Sequence, residues 1–549
     1  MNVATQPPPY LLRTHTAPAV RSRPPTADHG MPNTASHQSL ASSHYSAYSN
    51  SSLRSSDSTN LTSTSTLFGT PPPPLPTSSP INGAPIEATD NVLNKRGDKD
   101  QSLFQICLSL RSRLQYVPGF QEVLEEDERE SVADTDPVER LWQLFTKGYP
   151  LVALYNILRP DAPVQVDLNT VAERNRAKVC IIKFLQACKT QLDIKDTELF
   201  IINDLADKEN TNGFVKVTNV INRILDLMVV SGIMVDESAV NDTEAGKPTG
   251  KLTQRQHIIK ELVMTERTYV GHLEILYKFK KLVEESALLS GDMMHDIFLN
   301  LNALLNFQRK FLVMIEHTYS KNEQDQNWGS LFVVAGDQMA EVYEPYIANQ
   351  TKCEEIAKGQ FDKLQTIQGP PELAQLVESY PILSSFLLKP FQRLSKYPLL
   401  LRELFKHGDL DEQQKAEVNA GMEAAMAILG RANAAIDRED RNQAIEDLKM
   451  RVDDWKGHRI EGFGDLLLHG TFTVLKSDSG KKDNEREYRI YLFEMILLCC
   501  KEVDPSKQKN KLMNRPMVDA RGKPKLQLKG RIFMQNVTDN VKLIKPGKL

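Results

Sequence analysis

The hydrophobic pattern between residues 100 and 231 is typical of a compact helical domain. Apolar residues recur there at intervals of three and four, which places them on one face of an α-helix; the clearest group is Ile181, Phe184, Leu185 and Cys188. Strand-like alternation of apolar and polar residues is scarce. Pro137 directly after Asp136 suits a helix start, and Pro160 suits a helix stop.

A second and longer helical block is predicted over residues 252–446. It follows residues 232–251, a polar segment rich in helix breakers that we interpret as a linker. The first helix runs from Gln254 to about Glu285, and its apolar stripe is Ile258, Leu262, Tyr269, Leu273 and Leu276. Further helices are predicted over Ile297–Tyr319, Leu331–Lys358, Leu373–Phe405 and Asp411–Leu448. With almost no strand signal, this block favours an elongated helical bundle.

The pattern changes to that of β-strands in residues 455–549. Asp465–Leu475 and Arg486–Cys500 have the alternation and apolar runs of antiparallel strands, and a polar turn separates them. Residues 526–543 give one or two more strands, after which the chain stops. We therefore expect an incomplete β-rich domain here, as in a fragment or an unusual isoform.

Residues 1–98 differ from the rest because Ser, Thr, Pro and Ala dominate them. Such a segment cannot bury enough apolar surface to offset its ordering entropy, so we predict a disordered tail. Pro7–Tyr10 and Pro71–Pro76 have the composition of polyproline segments that bind SH3 or WW domains. An unselected low-complexity tail fits the same composition, and the sequence leaves both interpretations open.

Length and composition indicate a multidomain, mainly α protein. The 549 residues exceed what one core accommodates. A net charge of −4 gives no sign of a nucleic-acid partner. No apolar run reaches the length of a membrane span, and the N-terminus lacks a signal-peptide core. The six cysteines are scattered, which predicts reduced thiols in a cytosolic protein and no zinc site.

No enzyme signature is present in the sequence. A phosphate-binding Walker loop, a zinc-binding His-Glu-x-x-His helix, a nucleophile elbow and a glycine-rich dinucleotide turn are all missing. We therefore expect no covalent chemistry, no cofactor and no metal.

The segment Phe386–Leu404 stands out because Pro390 and Pro398 interrupt a strongly helical pattern. Leu388, Gln392 and Lys396 recur every four residues and share one face, whereas Leu387, Phe391 and Leu394 are expected to fill the bundle. A face with one apolar residue, one amide and one ammonium suits protein docking. A kinked core helix with solvated polar residues fits equally well from these residues alone.

Two segments of the second block, Ile258–Leu273 and Phe386–Leu404, closely resemble hallmark regions of the Dbl-homology exchange factors for Rho GTPases. The β-rich region after the block resembles the pleckstrin-homology domain that follows in that family. Tyr149–Pro160 and the stretch from Asn175 to Leu205 resemble the calponin-homology fold. Because only one such domain is visible, regulatory or partner binding is favoured over actin binding. This domain order resembles that of the fungal exchange factors that control cell polarity.

The resemblance implies roles for particular positions in contacting the GTPase. Glu261 matches a glutamate that binds switch I, and Gln392 and Lys396 match residues that engage switch II. Leu388 matches a position that selects among Rho-family members, where leucine fits the polarity-controlling GTPase. In the last helix Asp437 matches a GTPase-contacting position, with Asn433 as the alternative.

Two further expectations concern Glu266 and the C-terminal domain. Glu266 is predicted to be an exposed helical charge that pairs locally. Lys481, Lys482 and Arg486 are weak candidates for binding anionic lipid, since acidic residues are mixed with them. Residues 501–531 hold ten Lys or Arg against three acidic residues, which favours anionic membrane or a solvated insertion.

The function predicted from the sequence is therefore activation of a Rho-family GTPase. Such a factor would stabilise the nucleotide-free state of its partner, in the cytoplasm and at the plasma-membrane cortex. The alternative is a non-catalytic scaffold or an adaptor associated with actin or lipid.

Overall fold

The computed structural model describes residues 102–235 except 131, 133, 168 and 170, and residues 252–475, 485–503, 518–519 and 522–537. The prediction of a disordered tail over residues 1–98 lies outside the described residues. The described part is mainly helical with one small sheet, as the sequence predicts.

The first group of helices lies between residues 103 and 230 and surrounds one apolar core. Asp136 caps α3 by accepting from the backbone N–H groups of Val138 and Glu139, and Pro137 occupies the first turn. α4 ends at Leu158, two residues before Pro160. The helices are α1 (Leu103–Gln115), α2 (Gln121–Glu130), α3 (Pro137–Thr146), α4 (Tyr149–Leu158), α5 (Glu173–Gln191), α6 (Ile202–Ala206) and α7 (Thr211–Val230).

The second group of helices lies between residues 254 and 451 and has its own core. Its longest members are α8, α15 and α16, and α16 runs past the predicted domain boundary at residue 446. The helices are α8 (Gln254–Ser286), α9 (Gly291–Phe298), α10 (Leu301–Ser320), α11 (Trp328–Ala348), α12 (Gln350–Gly359), α13 (Phe361–Leu364), α14 (Pro371–Ala374), α15 (Tyr380–His407) and α16 (Glu412–Arg451).

Thr253 begins α8 with a reciprocal cap. Its hydroxyl accepts from the Gln256 backbone N–H, and the Gln256 side chain accepts from the Thr253 backbone N–H. α15 contains Pro390 and Pro398 as one continuous helix, and both prolines are buried in the bundle. Burial of the side chains around them offsets the hydrogen bonds that the prolines cannot donate.

Among the described residues after the second group of helices, four antiparallel strands form a meander in the order β1-β2-β3-β4. Arg451 at the end of α16 donates to the Pro524 carbonyl (2.7 Å) and to the Glu502 carboxylate (2.7 Å), which connects that helix to the sheet. The strands are β1 (Leu466–Leu475), β2 (Glu485–Phe493), β3 (Ile496–Glu502) and β4 (Leu526–Phe533).

The first group of helices packs against α10 of the second group. Val313 of α10 belongs to the core of the first group. Arg309 of α10 is 7% exposed, and it donates through Nε to Glu274 of α8 (2.8 Å) and through Nη1 to Asn212 of α7. Lys321 pairs with Asp134 (2.7 Å). The calponin-like region therefore contacts the side of the bundle formed by α10.

All six cysteines are free thiols. Burial raises the pKa of Cys188, Cys353 and Cys500 to about 12, so these sulfurs are poor nucleophiles at neutral pH. Among the helices that the structure describes, none combines the length and the apolar character of a membrane span.

Candidate functional site

A groove of about 530 Å³ runs between α8 and α15, and we call it the α8–α15 groove. It brings together three of the predicted GTPase-binding residues, Glu261, Gln392 and Lys396, which lie more than 130 positions apart at the extremes. Its lining residues are Lys260, Glu261, Met264, Thr265, Thr268, Tyr269, His272, Lys389, Gln392, Arg393 and Lys396.

The α15 side of the groove follows the predicted four-residue spacing. Gln392 and Lys396 are exposed, and Leu388 is half-buried one turn earlier on the same face. Leu387 and Leu394 are completely buried in the bundle core, and Phe391 packs against that core. Since the core is filled by other residues, the side chains of Gln392 and Lys396 are available to a partner.

The α8 side presents Glu261 as an exposed carboxylate. The next residues along the helix, Leu262 and Val263, are buried and hold this turn against the core. Glu261 and Lys396 thus project from two different helices into one groove with opposite charges. Such a surface complements a partner that offers both a donor and an acceptor.

Glu266 is completely buried, so its prediction as an exposed, locally paired charge was wrong. Arg393 donates to its carboxylate through Nε (2.8 Å) and through Nη2. Burial lowers the pKa of Arg393, but the adjacent Glu266 carboxylate outweighs this effect and holds the pKa above its ordinary value. Arg393 lines the groove, and its ion pair with the buried Glu266 joins α15 to α8.

A chain of hydrogen bonds extends from this ion pair into the bundle. Gln308 of α10 donates to Glu266 and to the Tyr397 hydroxyl (2.9 Å), and Tyr397 donates to Glu266 (3.1 Å). The Tyr343 hydroxyl donates to the Gln308 side-chain oxygen (2.8 Å) and lies 3.0 Å from the Tyr269 hydroxyl. Burial raises the pKa of Tyr269, Tyr343 and Tyr397 well above the ordinary range, so they stay neutral.

Every polar side-chain group in this hydrogen-bond network has a partner. A buried network that is fully satisfied stabilises one arrangement of the helices. This network connects α8, α10, α11 and α15 at a single level of the bundle. The two helices that form the groove are therefore held together by it.

Lys389 lies in the groove beside Lys396, with its ammonium 4.9 Å from the centre of the Phe386 ring. Burial, and then the positive charge of Lys396, lower the pKa of Lys389. The α15 side of the groove therefore carries three cationic groups, on Lys389, Arg393 and Lys396.

Asp437 and Asn433 are both exposed on α16, and neither lines the α8–α15 groove. The assignment of either residue to the GTPase interface remains a prediction. Lys481 and Lys482 lie outside the described residues. Arg486 pairs with Val474 in the sheet, and its side chain lies outside the described part.

Sequence reasoning missed Thr265, Lys389 and Arg393 as members of this site. A signal was present for Arg393, because the spacing of Pro390, Arg393 and Tyr397 at three and four residues places the arginine on a buried face. Thr265 had no signal, since its role depends on contact with a helix more than a hundred residues away.

Every residue that lines the groove except Met264 carries a charged or polar side-chain group. The groove holds no cysteine or serine nucleophile among its lining residues. Within the described residues no group of three or more His, Cys, Asp or Glu side chains is placed to hold a metal ion.

Three family models match consecutive parts of the chain. The RhoGEF domain matches residues 258–433, which include the α8–α15 groove. The CDC24 calponin model matches residues 136–225, and a pleckstrin homology domain matches residues 461–549. These matches confirm the resemblance inferred from the sequence.

Two fungal proteins are similar to most of this chain. The Rho guanine nucleotide exchange factor scd1 of Schizosaccharomyces pombe is 32% identical over 80% of this chain and 51% of its own length. Cell division control protein 24 of Saccharomyces cerevisiae is 31% identical over 67% of this chain and 43% of its own length. The chain thus spans about half the length of these relatives.

A solved structure of the PDZ-RhoGEF DH/PH domains in complex with activated RhoA matches 48% of this chain and 78% of that chain, with 19% identity and a TM-score of 0.39. The three family models match separate parts of this chain one after another. The chain therefore carries a CDC24-type calponin region, a RhoGEF domain and a pleckstrin homology domain, in that order.

Proposed function

We propose that this protein is a guanine-nucleotide exchange factor that activates a Rho-family small GTPase. The observation that carries the proposal is the α8–α15 groove, in which Glu261, Gln392 and Lys396 meet within the residues that match the RhoGEF domain. The similar scd1 protein is named as a Rho guanine nucleotide exchange factor.

The mechanism requires binding energy and no covalent step. A nucleotide held at picomolar affinity is bound by about 16 kcal/mol. With an association rate constant of about 10⁶ per molar per second, its spontaneous release takes on the order of days. A factor that binds the nucleotide-free conformation more tightly than the loaded one shifts the population toward release.

In this mechanism the two sides of the groove act on different parts of the GTPase. Glu261 holds switch I away from the nucleotide, and Gln392 and Lys396 bind switch II and disturb the contacts to magnesium and phosphate. Leu388, half-buried next to Gln392, supplies an apolar contact that selects among Rho-family members, in favour of the member that controls polarity. The protein acts in the cytoplasm and at the plasma-membrane cortex.

The test is release of a fluorescent nucleotide from purified Rho-family GTPases with the 549-residue chain added. The proposal expects accelerated release from at least one member of the panel. A non-catalytic scaffold would bind a GTPase or another protein and leave every release rate unchanged. A folded chain that accelerates none of them would refute the exchange function.

A further inference from the structure

One short chain of hydrogen bonds joins the two sides of the α8–α15 groove. Arg393 of α15 donates through Nη1 to the Thr265 hydroxyl oxygen of α8 (2.8 Å). The Thr265 hydroxyl donates in turn to the Glu261 backbone carbonyl (2.7 Å), with the Leu262 carbonyl at 3.2 Å. A hydroxyl carries one donor proton and accepting lone pairs, so it makes both contacts at once.

Arg393 is itself held in one position. Its Nε and Nη2 are bound by the buried Glu266 carboxylate, and Nη2 also reaches the Leu262 carbonyl (3.3 Å). A guanidinium is planar, so fixing one edge fixes the direction of Nη1. Because Nη1 donates to the Thr265 hydroxyl, its fixed direction determines where Thr265 lies relative to α15.

Each end of this series of hydrogen bonds lies beside residues of the proposed GTPase contact. Gln392 directly precedes Arg393, and Lys396 follows it by about one turn. At the other end, Thr265 contacts the backbone of Glu261 itself. The hydrogen bonds therefore determine how far the Glu261 carboxylate lies from the Gln392 amide and the Lys396 ammonium.

We infer that Thr265 and Arg393 are positioning residues for exchange, which set the spacing between the Glu261 side and the Lys396 side of the groove. The inference rests on the proposed exchange function. A docking surface built from two helices loses complementarity when their spacing is free to vary, although every contacting side chain is still present.

The most selective test is Thr265→Val, which keeps the shape of the side chain and removes the hydroxyl. Thr265 is exposed and the Glu266–Arg393 ion pair is untouched, so the lost hydrogen bond should lower the melting temperature by no more than about 4 °C. Exchange should fall roughly tenfold, because the hydrogen bond that fixes the spacing of α8 and α15 is lost and the contacting side chains are no longer held at one separation. Thr265→Ser keeps the hydroxyl and should retain the wild-type rate.

Thr190→Val is the matched control for this substitution. Thr190 is exposed on α5, and its hydroxyl donates to the carbonyl of Gln186 four residues earlier (2.8 Å), just as Thr265 donates to Glu261. The same chemical change there should leave exchange at the wild-type rate. Equal losses in both variants would show a general effect of the substitution and overturn the inference.

A double-mutant cycle separates positioning from direct contact with the GTPase. Arg393→Lys keeps the positive charge at Glu266 but loses the planar fork that reaches Thr265. If Thr265 acts through Arg393, Thr265→Val has little further effect on exchange in the Arg393→Lys background.

Two results would overturn the inference. Additive losses of exchange in the double variant would mean that Thr265 contacts the GTPase by itself, and normal exchange by Thr265→Val would mean that its hydroxyl is not needed. Lack of exchange by the wild type would instead refute the proposed function, and the inference with it.

Discussion

The environment of Lys389 disfavours its positive charge. Its ammonium is partly removed from water beside the Phe386 ring, and Lys396 repels it. Both effects disfavour the charged form, so the pKa of Lys389 lies below the value of 10.5 that it has in an unfolded chain. Keeping this charge at neutral pH therefore reduces the stability of the fold.

Stability should consequently depend on pH through Lys389. As the pH rises through the lowered pKa toward 10.5, the unfolded chain binds more protons than the folded one at this residue, so the free energy of unfolding increases. Comparing thermal unfolding of the wild type and Lys389→Met from pH 7 to pH 10.5 isolates this contribution. The wild type should gain stability relative to the variant as the pH rises, and a constant difference would count against the assigned environment.

The burial of Glu266 could not be predicted from the residues around it in the sequence. Its neighbours in sequence indicated an exposed position, because a charge next to an apolar stripe is usually solvated. The side chain that neutralises it, Arg393, lies 127 positions away on another helix. Glu261, Gln392 and Lys396 were predictable as exposed because their faces depend only on helical periodicity.

At the element scale, α11 and α16 approach each other closely enough for their backbones to touch. Gly329 and Gly421 lie at this crossing, and a Cβ atom added to Gly421 would overlap the Gly329 backbone. Gly430, further along α16, has open space where a Cβ atom would lie. The two glycines of α16 therefore serve different purposes.

Alanine substitutions at these two glycines should have opposite effects. Gly421→Ala should lower the free energy of unfolding by about 1–3 kcal/mol, since the helices must separate. Gly430→Ala should raise it by up to about 1 kcal/mol, because alanine restricts the unfolded chain and favours the helix. Calorimetry on both variants measures the difference, and similar effects would show that the helices are not in contact at Gly421.

The helix bounds show which local signals the sequence carries. α8 was predicted within one residue of its observed end, because its cap and apolar stripe are both local. The helix predicted over Ile297–Tyr319 is in fact the end of α9 and most of α10, separated near Leu299, whose backbone has a positive φ of 47°. A leucine gives no sequence signal for such a break, since glycine and asparagine are the usual residues there.

At the scale of the whole molecule, the described chain begins at Ser102, which caps α1 by accepting from the Gln105 backbone N–H (3.2 Å). Ser102 and Gln105 also interact with the buried Glu316 of α10, whose pKa is raised by burial. The contact between the calponin-like region and the bundle thus begins at this residue. The interface involves α10, and none of its contacts described above uses a groove residue.

The first 98 residues should be dispensable for folding and for exchange in solution, because their Ser, Thr, Pro and Ala-rich composition provides little apolar surface to bury. Deleting residues 1–98 should leave the unfolding transition and the exchange rate unaltered. Ser102→Ala is the comparison, since it removes a helix cap and should lower the free energy of unfolding by about 1 kcal/mol. A large loss of stability or exchange in the deletion would show that the tail packs on the rest of the protein.

The central claim is that the α8–α15 groove binds the GTPase, and the exchange rates of Lys396→Ala and Glu261→Ala test it most directly. Each substitution removes the charge that pairs with an opposite charge on the GTPase and leaves that GTPase charge buried and unpaired. This costs about 2–5 kcal/mol of binding to the nucleotide-free state. Exchange by the full chain should therefore fall at least about thirtyfold. The free energy of unfolding should change by no more than about 0.5 kcal/mol, as at other exposed positions.

The matched control is Lys406→Ala, an exposed lysine in the last turn of α15 that does not line the groove. That variant should exchange at the wild-type rate. The account predicts loss of exchange in both groove variants with unchanged melting temperatures, and wild-type exchange by both would contradict it.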